Sequence, residues 1–315
     1  MIAVCFCIDR DKVADDKSLL EKLVYKLIKK HIAGVTAASA IRVAKQINKN
    51  GLRASLTFLN DSRYNSASPN FHYNYTSYLQ LTKELFRLGI NSDISLRLSQ
   101  IGYPDKQGID EMIPDMLNYL SSKNVLWIEY EDCYDIDSVI NFASAIKDNK
   151  IGVEVPLDKF ESKKLLKSIP LVKNIKIIPY ESRKPADIMD TKPKKKTDLF
   201  TEYGNAVSKL KGLKVNIYIY MQDEKMVQKF INANRAIKRN LTFEIPLGYS
   251  NKKISMLLKN NINLCIYTAY GKDWIPYAIN KLTSGRIKEI AVNLLDKKDK
   301  KVDYDDIKDL PIEKI

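Results

Sequence analysis

Three groupings of residues in this chain have types and spacings that could do chemistry or recognition. The first is WIEYED (127–132), in which Glu129, Glu131 and Asp132 close an apolar run. Carboxylates gathered at the end of a strand suit general acid–base work, because a proton can be held at one and taken at another. No specific partner accompanies them, so a packing role at the strand end is the stronger expectation. The second grouping is cationic. In Glu224–Arg239, helical spacing puts Met226, Val227, Phe230, Ile231, Ala233 and Ile237 on one side and Lys225, Lys229, Arg235 and Arg239 on the other. Lys194-Lys195-Lys196, Lys252-Lys253 and Lys297-Lys298 add to it. Such a stripe is either a solvated outer face or a track for phosphates, whose neutralisation releases counterions. The third is RYNSASPNFHYNYTSY (63–78). There Phe71 and Tyr73 stand among Asn and Ser, a mixture that can stack and hydrogen-bond unpaired bases, while Tyr75 and Tyr78 are expected in the core.

Metal chemistry is not expected. Cys5-x-Cys7 has no partner pair, and His31 and His72 are the only histidines, whereas tetrahedral zinc needs four thiolate or imidazole ligands within reach. Cys5, Cys133 and Cys265 are expected as core or near-core thiols. Neither a P-loop nor a G-x-G-x-x-G fingerprint occurs.

The chain that carries these groups has 315 residues, and its 52 Lys+Arg against 38 Asp+Glu leave a net charge of +14. No run approaches 18 apolar residues, so no membrane span is expected. The first residues, MIAVCFCIDRDK, lack the basic start of a secretory signal. Four cysteines in such a length make no disulfide framework, so the expected compartment is a reducing cytoplasm. The surplus is uneven: Lys225–Lys301 holds 16 Lys/Arg against 5 Asp/Glu, and the tail from Val302 is acidic. A lopsided charge speaks to partners, not to fold.

The elements that must position these residues repeat a simple unit. Strand-like runs fall at 54–59, 93–98, 125–130, 151–155, 174–178, 214–219, 242–247 and 262–267, with helical periodicity between them, clearest over Tyr75–Leu88 and Ile109–Leu120. Eight strand–helix units predict an α/β fold, a (β/α)8 barrel, and their continuous apolar character suits a parallel sheet covered on both faces. Lys17–Lys30 and Thr36–Asn50 read as extra N-terminal helices. The expected organisation is a helical lead-in over 1–50, the barrel over 51–295 and a charged tail over 296–315. The proline- and lysine-rich loop 179–197 follows the fifth strand, on the face where barrels place their sites.

Five segments occur in an order that carries a resemblance: HIAG (31–34), DISLRLSQIG (93–102), WIEYED (127–132), FEIPLG (243–248) and YTAYGKDWIPYAINKL (267–282). They resemble the FxAG, SvKLSxLG, IDME, FxFQMLxG and YvPYGxxWyPYxxRRL motifs of the proline dehydrogenase family. That family oxidises proline to pyrroline-5-carboxylate with FAD in a (β/α)8 barrel. The last match is the specific one, with Tyr270, Gly271, Asp273, Trp274, Pro276, Tyr277 and Leu282 in place. By this resemblance the residual site positions are Arg97, Glu129, Tyr270, Tyr277, Asn280 and Lys281. Asn280 and Lys281 stand where the family has two arginines that clamp the proline carboxylate, and neither reproduces a guanidinium fork. Arg97 replaces the active-site lysine and Glu129 the aspartate of IDME. At positions where the family meets its flavin stand Pro179, Tyr180 and Pro246, and IYIYM (217–221) has no histidine.

These departures lead to the expectation of a barrel without the parent chemistry and without FAD, binding RNA or a ribonucleoprotein such as the ribosome through a basic surface. The alternative expectation is an active FAD-dependent proline dehydrogenase with a divergent site, taking proline as substrate. The sequence leaves the oligomeric state open.

Overall fold

The computed structural model describes residues 29–60, 71–104, 109–179, 196–221, 241–248, 251–259 and 261–274, together with Met226, Val227, Phe230 and Asn232. Eight strands form a closed, all-parallel barrel in chain order, β1 pairing with both β2 and β8. They are β1 (Arg53–Phe58), β2 (Ser92–Leu96), β3 (Leu126–Ile128), β4 (Ile151–Pro156), β5 (Asn174–Ile178), β6 (Asn216–Tyr220), β7 (Leu241–Pro246) and β8 (Asn263–Tyr270). The described helices around them are α1 (Ala37–Lys49), α2 (Phe71–Arg87), α3 (Ile109–Leu117), α4 (Ile136–Ala145), α5 (Lys163–Ser168), α6 (Lys196–Leu210) and α7 (Asn251–Lys259). The expected barrel is the observed one.

Local chemistry sets the element ends. Thr36 caps α1 in a reciprocal box with Ser39, and Ala40, Val43, Ala44 and Ile47 give it one buried face. That face packs on β1 and β8, so this helix of the lead-in closes a flank of the barrel. Helix α2 starts at Phe71, not Tyr75, because Asn74 is buried and donates to the Gln100 carbonyl at 2.9 Å, fixing an extra turn by tertiary contact. Strand β3 stops at Ile128, short of the expected Tyr130, because the Tyr130 N–H goes to the Glu154 carboxylate at 3.2 Å instead of a neighbouring strand. Strand β8 runs on to Tyr270 because its last residues keep pairing with β1, Phe58 against Tyr270. Among the described residues no helix is long and apolar enough to cross a membrane.

The core has two parts. Outward-facing side chains of the strands meet the helices in an apolar layer that includes Leu56, Ile94, Ile128, Val153, Ile177, Ile219 and Ile266. The inside of the barrel is different, and much of it is polar.

Candidate functional site

A contact that skips a strand must pass through the barrel interior, so such contacts identify the inward side chains. Lys176 on β5 reaches past β6 to Glu244 on β7, with Nζ 2.7 Å from Oε1. The same ammonium lies 3.5 Å from Glu154 on β4 and 4.5 Å from the Trp127 ring centroid. All three charged side chains are fully buried. Burial works to depress the Lys176 pKa, but attraction to Glu244 and Glu154 outweighs it and holds the value above the ordinary range, so the ammonium stays charged. The second Glu154 oxygen accepts the Tyr130 N–H. The second Glu244 oxygen has no hydrogen-bond partner among the described residues.

A second internal layer lies nearer the strand starts. The Arg53 guanidinium donates to the Tyr218 hydroxyl at 2.6 Å and sits 3.6 Å from Asp93. Asp93 in turn accepts from the Val125 N–H at 2.9 Å and the Trp127 indole at 3.2 Å. Trp127 and Tyr218 meet edge to face at 4.6 Å. Room for the indole comes from Gly152, where a Cβ would stand 2.5 Å from its ring. Burial, followed by the nearby Asp93, pushes the Cys265 thiol well up, so it is an inert core thiol. Barrel interiors are ordinarily filled by branched apolar side chains; here two ion clusters hold the wall together from inside.

At the strand exits, Arg97 donates from Nε to Glu129 at 2.9 Å, and the Thr57 hydroxyl donates to the other Glu129 oxygen at 2.8 Å. Glu131 accepts the Ser99 backbone N–H at 3.0 Å and the Ser99 hydroxyl. The strand-end carboxylates are therefore engaged with β1 and the turn after β2, while Asp132 is exposed. Over the exits of β5, β6 and β8, Ile178, Tyr220, Tyr267 and Trp274 pack with Leu59 and Ile32, all nearly buried. Tyr220 and Tyr267 meet edge to face at 5.8 Å. The lead-in holds this cluster down: Ala33 N–H donates to the Ala269 carbonyl at 2.8 Å, and Gly271 N–H to that of Gly34 at 3.0 Å. The described strand exits carry Glu129, Glu131, Asp132, Asp135, Asp158, Glu161 and Asp273 beside Arg97, Lys159 and Lys272, and Lys164 of α5 lies 3.9 Å from Asp135.

Of the positions singled out by sequence, Arg97 and Glu129 come together as an ion pair. Tyr270 points outward, stacked on Phe58 at 5.2 Å, and burial raises its phenol pKa. Gly271 is a packing residue with φ +139°, where a Cβ would stand 2.2 Å from the Leu59 carbonyl oxygen. Phe71 and Tyr73 open α2 at the exit end of the barrel, Tyr73 exposed. Cys133 is exposed, which corrects its placement near the core: it sits in the turn after β3, ahead of the α4 cap. Tyr277, Asn280, Lys281, Lys194, Lys195, Lys225, Lys229, Arg235, Arg239, Lys297 and Lys298 lie outside the described residues. Lys196 opens α6, and Lys252 and Lys253 lie on α7. Sequence reasoning missed Arg53, Asp93, Glu154, Lys176 and Glu244. Their signal was a single charge inside an otherwise apolar strand, as in NIKII and TFEIP.

No protein-family profile and no curated sequence matches this chain. Solved structures do. Proline utilization A from Bdellovibrio bacteriovorus, inactivated by N-propargylglycine, superposes with a TM-score of 0.66 at 12% identity, over 84% of this chain and 33% of that one. A variant of the Bradyrhizobium japonicum protein gives 0.61 at 14% identity, over 85% and 32%. The Corynebacterium freiburgense protein gives 0.60 at 12% identity, over 90% and 34%. This chain thus spans about a third of the length of the chains it matches. The fold is a proline-dehydrogenase-like barrel, as the sequence resemblance implied, and at these identities the likeness is one of fold.

Proposed function

We propose that this barrel is a binding protein for RNA or a ribonucleoprotein, such as the ribosome, and not an oxidoreductase. The observation that carries the reading is the exit end of the barrel. A cofactor with a pyrophosphate and an electron-accepting ring needs cationic or N–H donors and an open slot there. The described exits of β5 to β8 instead present Ile178, Tyr220 and Tyr267, packed with Trp274 in one apolar cluster, and the buried Met221 and Pro246. Among the described residues the interior cation below them, Lys176, is already bound to two carboxylates. These residues do not fit FAD, so no hydride-transfer step is derived for them. The +14 surplus favours a polyanion as partner.

A second reading, an FAD-dependent proline dehydrogenase with a divergent site, is favoured by one observation. The Arg97–Glu129 pair keeps a cation and a carboxylate together at the exits of β2 and β3, where the family resemblance puts an active-site lysine and aspartate. One preparation separates the two readings. The purified full chain is expected to be colourless, to reduce no dye with proline, and to co-sediment with RNA or ribosomes at low salt and not at high salt. A yellow protein with a flavin spectrum and proline-dependent dye reduction would sink the binding reading.

A further inference from the structure

The described loops that lead into strands are cationic. Seven described loops lead into strands, within 48–52, 87–91, 121–124, 147–150, 171–173, 211–215 and 259–262. Asp148 is the one acid in them, and it lies 3.7 Å from Lys150. Arg87 is likewise taken, by Glu84. Left over are Lys49, Lys123, Lys147, Lys173, Lys211, Lys214 and Lys259, spread over six loops and all exposed. Among the described residues none of these seven has an ion pair with a carboxylate. Lys173 and Lys214 are neighbours, since the Lys173 ammonium donates to the Lys214 carbonyl at 3.1 Å.

Helix ends explain part of this. The helices of a (β/α)8 barrel finish at the strand-entering end, and cations there answer the partial negative charge of the last carbonyls. That accounts for Lys49 and Lys259, in the last turns of α1 and α7, and for Lys147 and Lys211, just beyond α4 and α6. Lys123, Lys173 and Lys214 stand in the loops past the helix ends, beyond the reach of that effect. The same end exposes an aromatic ring: Phe86, in the last turn of α2, is 60% exposed. Its ring lies edge-on to Tyr119 at 6.1 Å, and Lys83 covers the Tyr119 ring at 5.0 Å.

We infer that the strand-entering end of the barrel is a docking face for a single-stranded stretch of RNA, its phosphates on the lysine ring and an unstacked base on Phe86. Cations spaced around a ring, with an exposed aromatic among them, have the donor set that single strands use: charge for the backbone and a π-face for the bases. A duplex would use the lysines and leave Phe86 idle. The inference rests on the RNA-binding reading above and specifies its surface.

The test compares three full-length variants that fold as the parent by circular dichroism. The first changes Lys123, Lys147, Lys173 and Lys214 to Gln. The second removes the same charge elsewhere, with Lys45, Lys159, Lys163 and Lys272 to Gln. The third is Phe86→Ser. The probe is a labelled oligouridine, read by fluorescence anisotropy at fixed salt. The first variant is expected to lose at least about tenfold in affinity, the second less than about threefold. Phe86→Ser is expected to weaken oligouridine, by roughly tenfold for a stacked base, and to leave a duplex RNA of equal length unchanged. If the parent binds and the first two variants weaken equally, the face is wrong while RNA binding stands. If the parent binds an acidic polypeptide and no RNA at the same salt, both the face assignment and the RNA reading fall.

Discussion

Lys176→Met removes an ammonium that sits 2.7 Å from one buried carboxylate and 3.5 Å from another. At an effective dielectric near 20 the closer attraction is about 6 kcal/mol, and relief of the lysine's own desolvation returns part of it. Removing one partner of a buried pair costs roughly 3–5 kcal/mol in practice. That is a large share of the roughly 5–15 kcal/mol that holds a domain together. The cost has a pH signature. Without the ammonium the variant's fold holds two buried carboxylates with no cation between them, and protonation relieves that cost more in the fold than in the solvated unfolded chain. A raised folded pKa stabilises the fold below the unfolded value, and that contribution is lost as pH rises through the folded one. The deficit of Lys176→Met is therefore full at pH 8 and smaller at pH 5. Urea unfolding at the two pH values, followed by far-UV circular dichroism, measures it. A triple variant that also carries Glu154→Gln and Glu244→Gln is expected to recover much of the loss. A deficit under about 1 kcal/mol at pH 8, or one equal at both pH values, would refute the assignment of a structural ion triad to the barrel interior.

Three further substitutions probe the same wall and its rim. Gly271→Ala drives a Cβ to 2.2 Å from the Leu59 carbonyl at a φ of +139°, and a loss of roughly 2–4 kcal/mol is expected in a urea titration. Gly152→Ala presses on the Trp127 ring, costing about 1–3 kcal/mol by overpacking and shifting indole emission in a Trp274→Phe background. Arg97→Met strips Glu129, whose side chain is fully buried, of its cation; about 3 kcal/mol is expected to go, with partial recovery on adding Glu129→Gln.

The barrel was legible because each strand is a short apolar run flanked by turn residues and each helix repeats at its own period. Strand ends were less so, since they depend on partners far along the chain: Tyr130 leaves β3 for Glu154, and Asn74 lengthens α2 through Gln100. The WIEYED carboxylates were visible as a group, but not that Thr57, Arg97 and Ser99 would engage them. Lys176 and Glu244 looked like isolated irregularities, because only barrel closure brings β5 and β7 to face each other across the axis. Charge was the most misleading feature in one dimension. Counting along the chain finds runs such as Lys252-Lys253, whereas the lysine ring takes one or two residues from each of six loops and is assembled by topology alone.

RNA binding through surface charge is tested most directly by its salt dependence in the full chain. Titrating a labelled single strand from roughly 50 to 200 mM salt, the logarithm of the binding constant should fall linearly with the logarithm of salt. Single strands give a slope near −0.7 per neutralised phosphate, so a ring of seven lysines predicts about −5 at full engagement. Binding that is absent at 50 mM, or that does not change across the range, would contradict the claim that this barrel binds RNA through its surface charge.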